Sequence, residues 1–186
     1  AAAARATLRL GARTVIGLLP GSRVAEVTRL GPPFLGAARL LCEALDEVEF
    51  VAPMANATLR HIFTDQIAEH APGLRVSILD GGARTAIAAS DAVLAASGTV
   101  TLEAMLINRP MVVAYRASPA TYLVATTLNL VTVEHFSLPN LVAGERLVPE
   151  LLQRDVTAAR LAGEMLSLLR SPASRQAPRR RLERRR

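Results

Sequence analysis

The chain has 186 residues, 51% of them hydrophobic, and a formal net charge of +6, which is length enough for one packed domain with no help from disulfides or structural metal. No window of about 18 uncharged apolar residues occurs, so no membrane-spanning helix is expected; residues 1–13 lack the apolar core and cleavage site of a secretory signal, and a single cysteine, Cys42, excludes an intrachain disulfide. The charge is lopsided: every basic residue is arginine, residues 170–186 carry eight arginines and one acid, Glu183, and the preceding residues hold 14 arginines against 15 acids.

In chain order, residues 1–13 read as a lead-in. Apolar runs at 14–19, 48–53, 74–79, 92–95 and 110–115 have strand length, several are rich in valine and isoleucine, and none has a polar alternate face. That is the pattern of strands buried on both sides of a parallel sheet. After the first run, Leu30, Phe34, Ala38, Leu41 and Leu45 recur at near helical spacing. Pro32 and Pro33 fit only the first turn of such a helix, so residues 24–30 are predicted to form a separate turn or bend. Further helices are predicted at 57–70, 99–107 and 121–128. After Tyr115 the strands are predicted to stop, with 147–152 and 156–169 as closing helices. The alternation implies βαβ units, hence an α/β fold: a Rossmann-like parallel sheet flanked by helices, spanning residues 14–170. Residues 171–186 read as an Arg-rich tail without fixed order, the bland alternative to attraction toward nucleic acid or anionic lipid.

An open parallel sheet binds ligands beyond the carboxyl ends of its strands, so the chemistry is sought just after each apolar run. Leu19-Pro20-Gly21-Ser22-Arg23 follows the first. Gly21 allows a sharp turn, Ser22 a hydrogen bond, and Arg23 offers a planar fork suited to phosphate. By itself this also reads as an ordinary strand-to-helix turn, and it is neither a Walker loop nor GxGxxG. Ser97-Gly98-Thr99 follows the fourth run, with Glu103 one turn further on. Free N–H groups at that helix start can meet an anion. Glu103 either favours the helix dipole or accepts hydrogen bonds from two neighbouring hydroxyls, as on a ribose. Asp80 and Gly81, with Gly82, form a loop whose backbone could read a base edge or simply turn. Tyr115 and Arg116 end the last predicted strand, and Ser137-Leu138-Pro139-Asn140-Leu141 forms a short polar elbow, where Asn140 could simply stabilise a turn. His135 reads as structural and Asp91 as a loop acid. Three scattered histidines and one cysteine give no zinc spacing, and 3% aromatic content gives no stacking platform for single strands, so no specific nucleic-acid partner is expected.

Taken together these segments are more specific than any one of them. Leu18-Leu19-Pro20-Gly21-Ser22-Arg23 with Glu26 and Pro33-Phe34-Leu35-Gly36-Ala37-Ala38, then Ser97-Gly98-Thr99 with Leu102-Glu103, then Pro110-Met111-Val112-Val113 with Tyr115-Arg116, then Ser137-Leu138-Pro139-Asn140-Leu141, strongly resemble the lipid-A-disaccharide synthase family over residues 15–169. The resemblance implies the carboxyl-terminal, nucleotide-sugar-binding half of an inverting, metal-independent GT-B-type glycosyltransferase with no cofactor. Such an enzyme joins UDP-2,3-diacylglucosamine to 2,3-diacylglucosamine 1-phosphate and releases UDP, on the way to lipid A of Gram-negative bacteria. The competing readings are another GT-B UDP-sugar transferase or epimerase, and a non-catalytic nucleotide-binding fragment.

The resemblance also implies roles. Arg23, the one catalytic assignment, would meet the donor diphosphate and stabilise the leaving UDP. Gly21 and Ser22 would shape that loop. Ser97, Gly98 and Thr99 would hold the pyrophosphate, Glu103 the ribose hydroxyls, and Asp80 and Gly81 the uracil, while Tyr115, Arg116 and Asn140 would lie on segments associated with the site. The implied partners are the donor, the acylated sugar phosphate acceptor, a missing N-terminal half that supplies the base, and a homodimer mate exchanging the C-terminal segment. Acylated substrates imply a peripheral location at the inner face of the cytoplasmic membrane, with the arginine tail toward anionic lipid.

Overall fold

The five apolar runs form β1 (Thr14–Leu19), β2 (Val48–Met54), β3 (Val76–Asp80), β4 (Ala92–Ala96) and β5 (Met111–Tyr115), and a short β6 (Glu150–Leu152) follows them. The structure, a computed structural model, describes residues 1–11, 13–118 and 135–171. All six strands pair in parallel in the order β3-β2-β1-β4-β5-β6. In β4 every residue is buried, and in β1 every residue after Thr14. The uninterrupted apolar runs therefore serve two faces at once. Ile16 and Leu18 pack with Phe34, Leu35, Phe63, Leu161 and Met165, whereas Leu19, Ile87, Val93, Ala95, Met105 and Val113 form a second cluster. The first cluster joins the sheet to α2 (Val24–Ala44), α3 (Ala57–His70) and the last helix, which covers Ala158–Arg170. The second joins it to α4 (Ala83–Ala89) and α5 (Thr99–Leu106).

The lead-in contains α1 (Ala2–Leu8), which packs against α4. Its Arg5 donates to the Ala89 carbonyl (2.8 Å) and to Asp91 (2.5 Å), and Asp91 also accepts the Val15 N–H at 2.9 Å. Asp91 is thus a structural acid that ties α1 to the start of β1.

Two expectations are overturned. Residues 24–30 are not a separate bend, because α2 runs unbroken through Pro32 and Pro33. A proline at 32 cannot donate to the Thr28 carbonyl one turn earlier. Gln66 of α3 supplies the missing donor: its Nε2 reaches the carbonyls of Val27 (3.2 Å) and Thr28 (3.3 Å). Gly31 makes room for it, since a Cβ there would lie 1.9 Å from Gln66 Oε1. Nor do the strands stop at Tyr115. Residues 147–152 are not helical; Glu150–Leu152 pairs with β5 and Val113 N–H bonds the Pro149 carbonyl at 2.9 Å. The free edge of β5, a long-range feature, outweighs local preference in so short a segment. The polar elbow is the first turn of α6 (Leu138–Ala143), and the last helix, α7, starts at the side-chain cap Thr157. The helix expected at 121–128 and residues 172–186 of the tail lie outside the described residues.

Candidate functional site

The strand order reverses direction between β1 and β4, and there an open sheet splays a crevice at its carboxyl edge. A cleft of about 420 Å³ lies at that point, within the range of small-molecule sites. Its lining comes from successive strand ends: Leu19, Gly21, Ser22 and Arg23 at the end of β1, Met54 and Ala55 at the end of β2, Gly81 and Gly82 after β3, and Ala96 to Val100 at the end of β4. Glu26 enters from the first turn of α2, and Glu103 from α5, one turn in from its start.

The β1 wall is a tight turn with Gly21 at φ +127, a conformation that L side chains rarely adopt. The Glu26 carboxylate accepts the N–H groups of Ser22 (2.9 Å) and Arg23 (3.2 Å) and pairs with Arg23 Nη1 at 3.0 Å. The Arg23 side chain remains 81% exposed. The β4 wall is held from behind. Ser97 N–H bonds the Ala114 carbonyl (2.9 Å), Ser97 Oγ donates to the Phe136 carbonyl (3.3 Å), and Thr101 Oγ1 donates to the Gly98 carbonyl (2.7 Å). The N–H groups of Gly98, Thr99 and Val100 have no partner among the described residues, so they are available to an anion. A Cβ at Gly98 would meet no protein atom within 4 Å, so the fold does not demand glycine there, and its absence leaves the cleft clear. The exposed Glu103 carboxylate has no side-chain partner among the described residues. On the third wall Gly81 and Gly82 both have left-handed backbones (φ +73 and +69), and Gly81 N–H bonds the Met54 carbonyl at 2.6 Å.

Of the residues singled out from sequence, Gly21, Ser22, Arg23, Gly81, Ser97, Gly98, Thr99 and Glu103 line this one cleft. Four do not. Asp80 turns to Arg60 of α3 (2.9 Å) and is 79% exposed. Arg116 donates to the carbonyls of Gln153 (3.2 Å) and Val156 (2.8 Å). Tyr115 packs its ring on Phe136, with centroids 6.2 Å apart. Asn140 is fully buried; its amide donates to the Val148 carbonyl (2.9 Å) and its oxygen accepts from Leu147 (2.7 Å) and Val148 (2.9 Å). His135 faces the nearly buried Glu150, which also accepts the N–H groups of Phe136 and Ser137, so this acid holds the segment behind Ser97. Gly82, read with Gly81 as part of the loop after the third strand, lines the cleft as well, and sequence reasoning missed Met54 and Ala55, which the rule of looking at each strand end would have found at β2. It also gave Glu26 no role, although a glutamate three residues into a helix is a capping signal.

The family model for lipid-A-disaccharide synthetase matches residues 1–185. The chain belongs to the lipid-A-disaccharide synthase family. The Xanthomonas oryzae pv. oryzae (strain MAFF 311018) lipid-A-disaccharide synthase is 46% identical over 173 residues, a match covering 92% of this chain and 40% of that relative. The chain therefore spans about two fifths of the length of such curated relatives. Among solved structures, the C-terminal domain of a glycosyl transferase group 1 family protein from Francisella tularensis superposes with a TM-score of 0.61 at 10% identity, covering 95% of this chain and 85% of that one. Anabaena Alr3699/HepE, solved in complex with UDP-glucose, gives a TM-score of 0.58 at 18% identity and covers 94% of this chain and 44% of its own. The parallel sheet flanked by helices is the one the strand pattern predicted, and its likeness to the carboxyl-terminal domain of a glycosyl transferase fits the GT-B-type fold that the resemblance implied.

Proposed function

We propose that this domain is the donor-binding half of a lipid-A-disaccharide synthase, holding UDP-2,3-diacylglucosamine while its sugar passes to 2,3-diacylglucosamine 1-phosphate. The observation that carries the reading is the convergence of Arg23 and Glu103, from loops about 80 residues apart in sequence, on one cleft at the strand-order reversal. In this reading the diphosphate lies between the α2 and α5 N-termini. The free N–H groups at 98–100 and the helix dipole attract its charge, and the Arg23 guanidinium takes up further oxygens. Glu103 accepts the two ribose hydroxyls, and the Gly81–Gly82 backbone faces the uracil edge.

The reaction breaks the bond between the donor's C1 and its phosphate oxygen while the 6-hydroxyl of the acceptor attacks C1 from the opposite face. The hydroxyl proton goes to a base on the half that this chain does not span, and the bonding electrons leave with UDP. Negative charge grows on the leaving phosphate, and Arg23 and the α5 amides are fixed where it grows. That is the arrangement in which preorganised donors lower a barrier. Asn140 and Arg116 support the reading only indirectly, by holding together the segments around residues 140–148 and 153–156. No helix among the described residues is long and apolar enough to cross a membrane. Acylated substrates favour attachment at the inner membrane face, with the arginine tail adding about 1 kcal/mol per charge near anionic lipid.

Calorimetric titration tests the reading. UDP is expected to bind better than ADP. Glu103→Gln is expected to weaken UDP by roughly 1.5–3 kcal/mol, the scale of a charge-assisted hydrogen bond, and Arg23→Ala is expected to weaken it too. Equal curves for UDP and ADP, with both variants indistinguishable from the parent, would remove the assignment.

A further inference from the structure

The donor-site reading uses Arg23 but leaves Glu26 without a task, although Glu26 lines the same cleft. Its carboxylate has both oxygens engaged: Oε2 accepts from Ser22 N–H and Arg23 N–H, and Oε1 accepts from Arg23 Nη1. The two side chains differ sharply in exposure, Glu26 at 24% and Arg23 at 81%. Glu26 is the seated partner and Arg23 the one that reaches out. The turn is shaped around that seat, since a Cβ on Gly21 would lie 2.4 Å from both Cβ and Oε2 of Glu26. Only Nη1 of Arg23 is engaged among the described residues, which leaves Nε and Nη2, one edge of the planar fork, for an anion.

We infer that Glu26 is a positioning residue of the donor site: it braces the 21–23 turn and presents the free edge of the Arg23 guanidinium to the diphosphate of a nucleoside diphosphate sugar. The inference rests on the donor-site reading and adds a sign to it. Through space, a carboxylate beside a diphosphate repels it, so Coulomb's law alone has neutralisation of Glu26 tightening binding. Positioning has the opposite consequence. A glutamine at 26 can still accept the two backbone N–H groups through its oxygen, but it then turns an NH2 group toward Arg23, a donor against a donor. The turn survives and the arginine loses its tether.

The experiment is an NMR titration of the chain, Glu26→Gln, Arg23→Ala and the double variant, each with UDP and with uridine, and with thermal unfolding of every protein alongside. Glu26→Gln is expected to weaken UDP about tenfold, the scale of one charge-assisted hydrogen bond, and to leave uridine unchanged, because uridine has no diphosphate. In the Arg23→Ala background the same change is expected to add less than about twofold, because coupled residues are non-additive. UDP binding that is unchanged or tighter in Glu26→Gln overturns the inference. So do equal losses for UDP and uridine, or full additivity in the double variant. Should Glu26→Gln unfold early, Glu26→Asp keeps the charge but shortens the reach, and the same UDP-only loss is expected; its absence counts against positioning. If the parent chain binds UDP no better than uridine, the donor-site reading itself falls and takes the inference with it. UDP-selective binding that ignores position 26 sinks the inference alone.

Discussion

At the scale of single residues, the cleft depends on where small side chains are compulsory. Gly21→Ala forces a Cβ into Glu26 and into a backbone conformation that costs a side-chain-bearing residue about 1–3 kcal/mol. It is expected to lower the urea midpoint and UDP affinity together. Gly98→Ala meets no protein atom, so it is expected to leave the urea midpoint nearly unchanged while reducing UDP affinity; comparing the two substitutions separates a fold requirement from a ligand requirement. Cys42 shows the opposite kind of residue. Desolvation, reinforced by the Glu43 charge, holds its thiol above the ordinary value. Less thiolate is present at neutral pH, so a thiol reagent is expected to modify it more slowly than free cysteine at equal pH. Arg23 and Gly21 were legible as cleft residues because they follow the end of β1 directly, and Glu103 because it lies one turn into the helix that follows β4. Asp80 was not, since a residue still inside β3 sends its side chain to the neighbouring Arg60, and sequence names a polar group without saying which way it points.

At the scale of elements, α2 is a helix that its own sequence argues against. The prolines at 32 and 33 remove two backbone donors, and the helix persists because Gln66, 38 residues from Thr28, takes over at the carbonyl that Pro32 leaves open. Replacing Gln66 by leucine fills similar volume but leaves that partly buried carbonyl without its donor. A loss of about 1 kcal/mol is expected in urea unfolding, the lower end of the cost of an unsatisfied polar group, because the carbonyl is only partly buried. A result near zero would mean that the carbonyl finds another donor. The strand elements were readable from apolar runs because both faces are covered. The three residues of β6 were not, since their strand character exists only through the edge of β5.

For the molecule as a whole, stability and binding are separable. Phe34 is fully buried between α2 and the sheet, away from the cleft. Phe34→Ala is expected to lower unfolding stability by about 3–5 kcal/mol, yet the protein that remains folded should titrate with UDP as the parent does. Loss of both together would tie the cleft to the distal core. The cleft itself is a product of strand order. The paired residues Gly17 of β1 and Val93 of β4 are 76 positions apart in the chain, and only the adjacency of these strands brings the turns after them to one rim.

Sequence alone determined the kind of layer structure and the family. Continuous apolar runs of strand length fit a sheet covered on both faces, and the Pro-Gly-Ser-Arg and Ser-Gly-Thr turns together are more specific than either one. Tertiary structure decided which turns share a cleft, which polar residues face into it and which helix survives its prolines. Each of those outcomes depends on groups brought together from distant parts of the chain, by pairing energies that no local window contains.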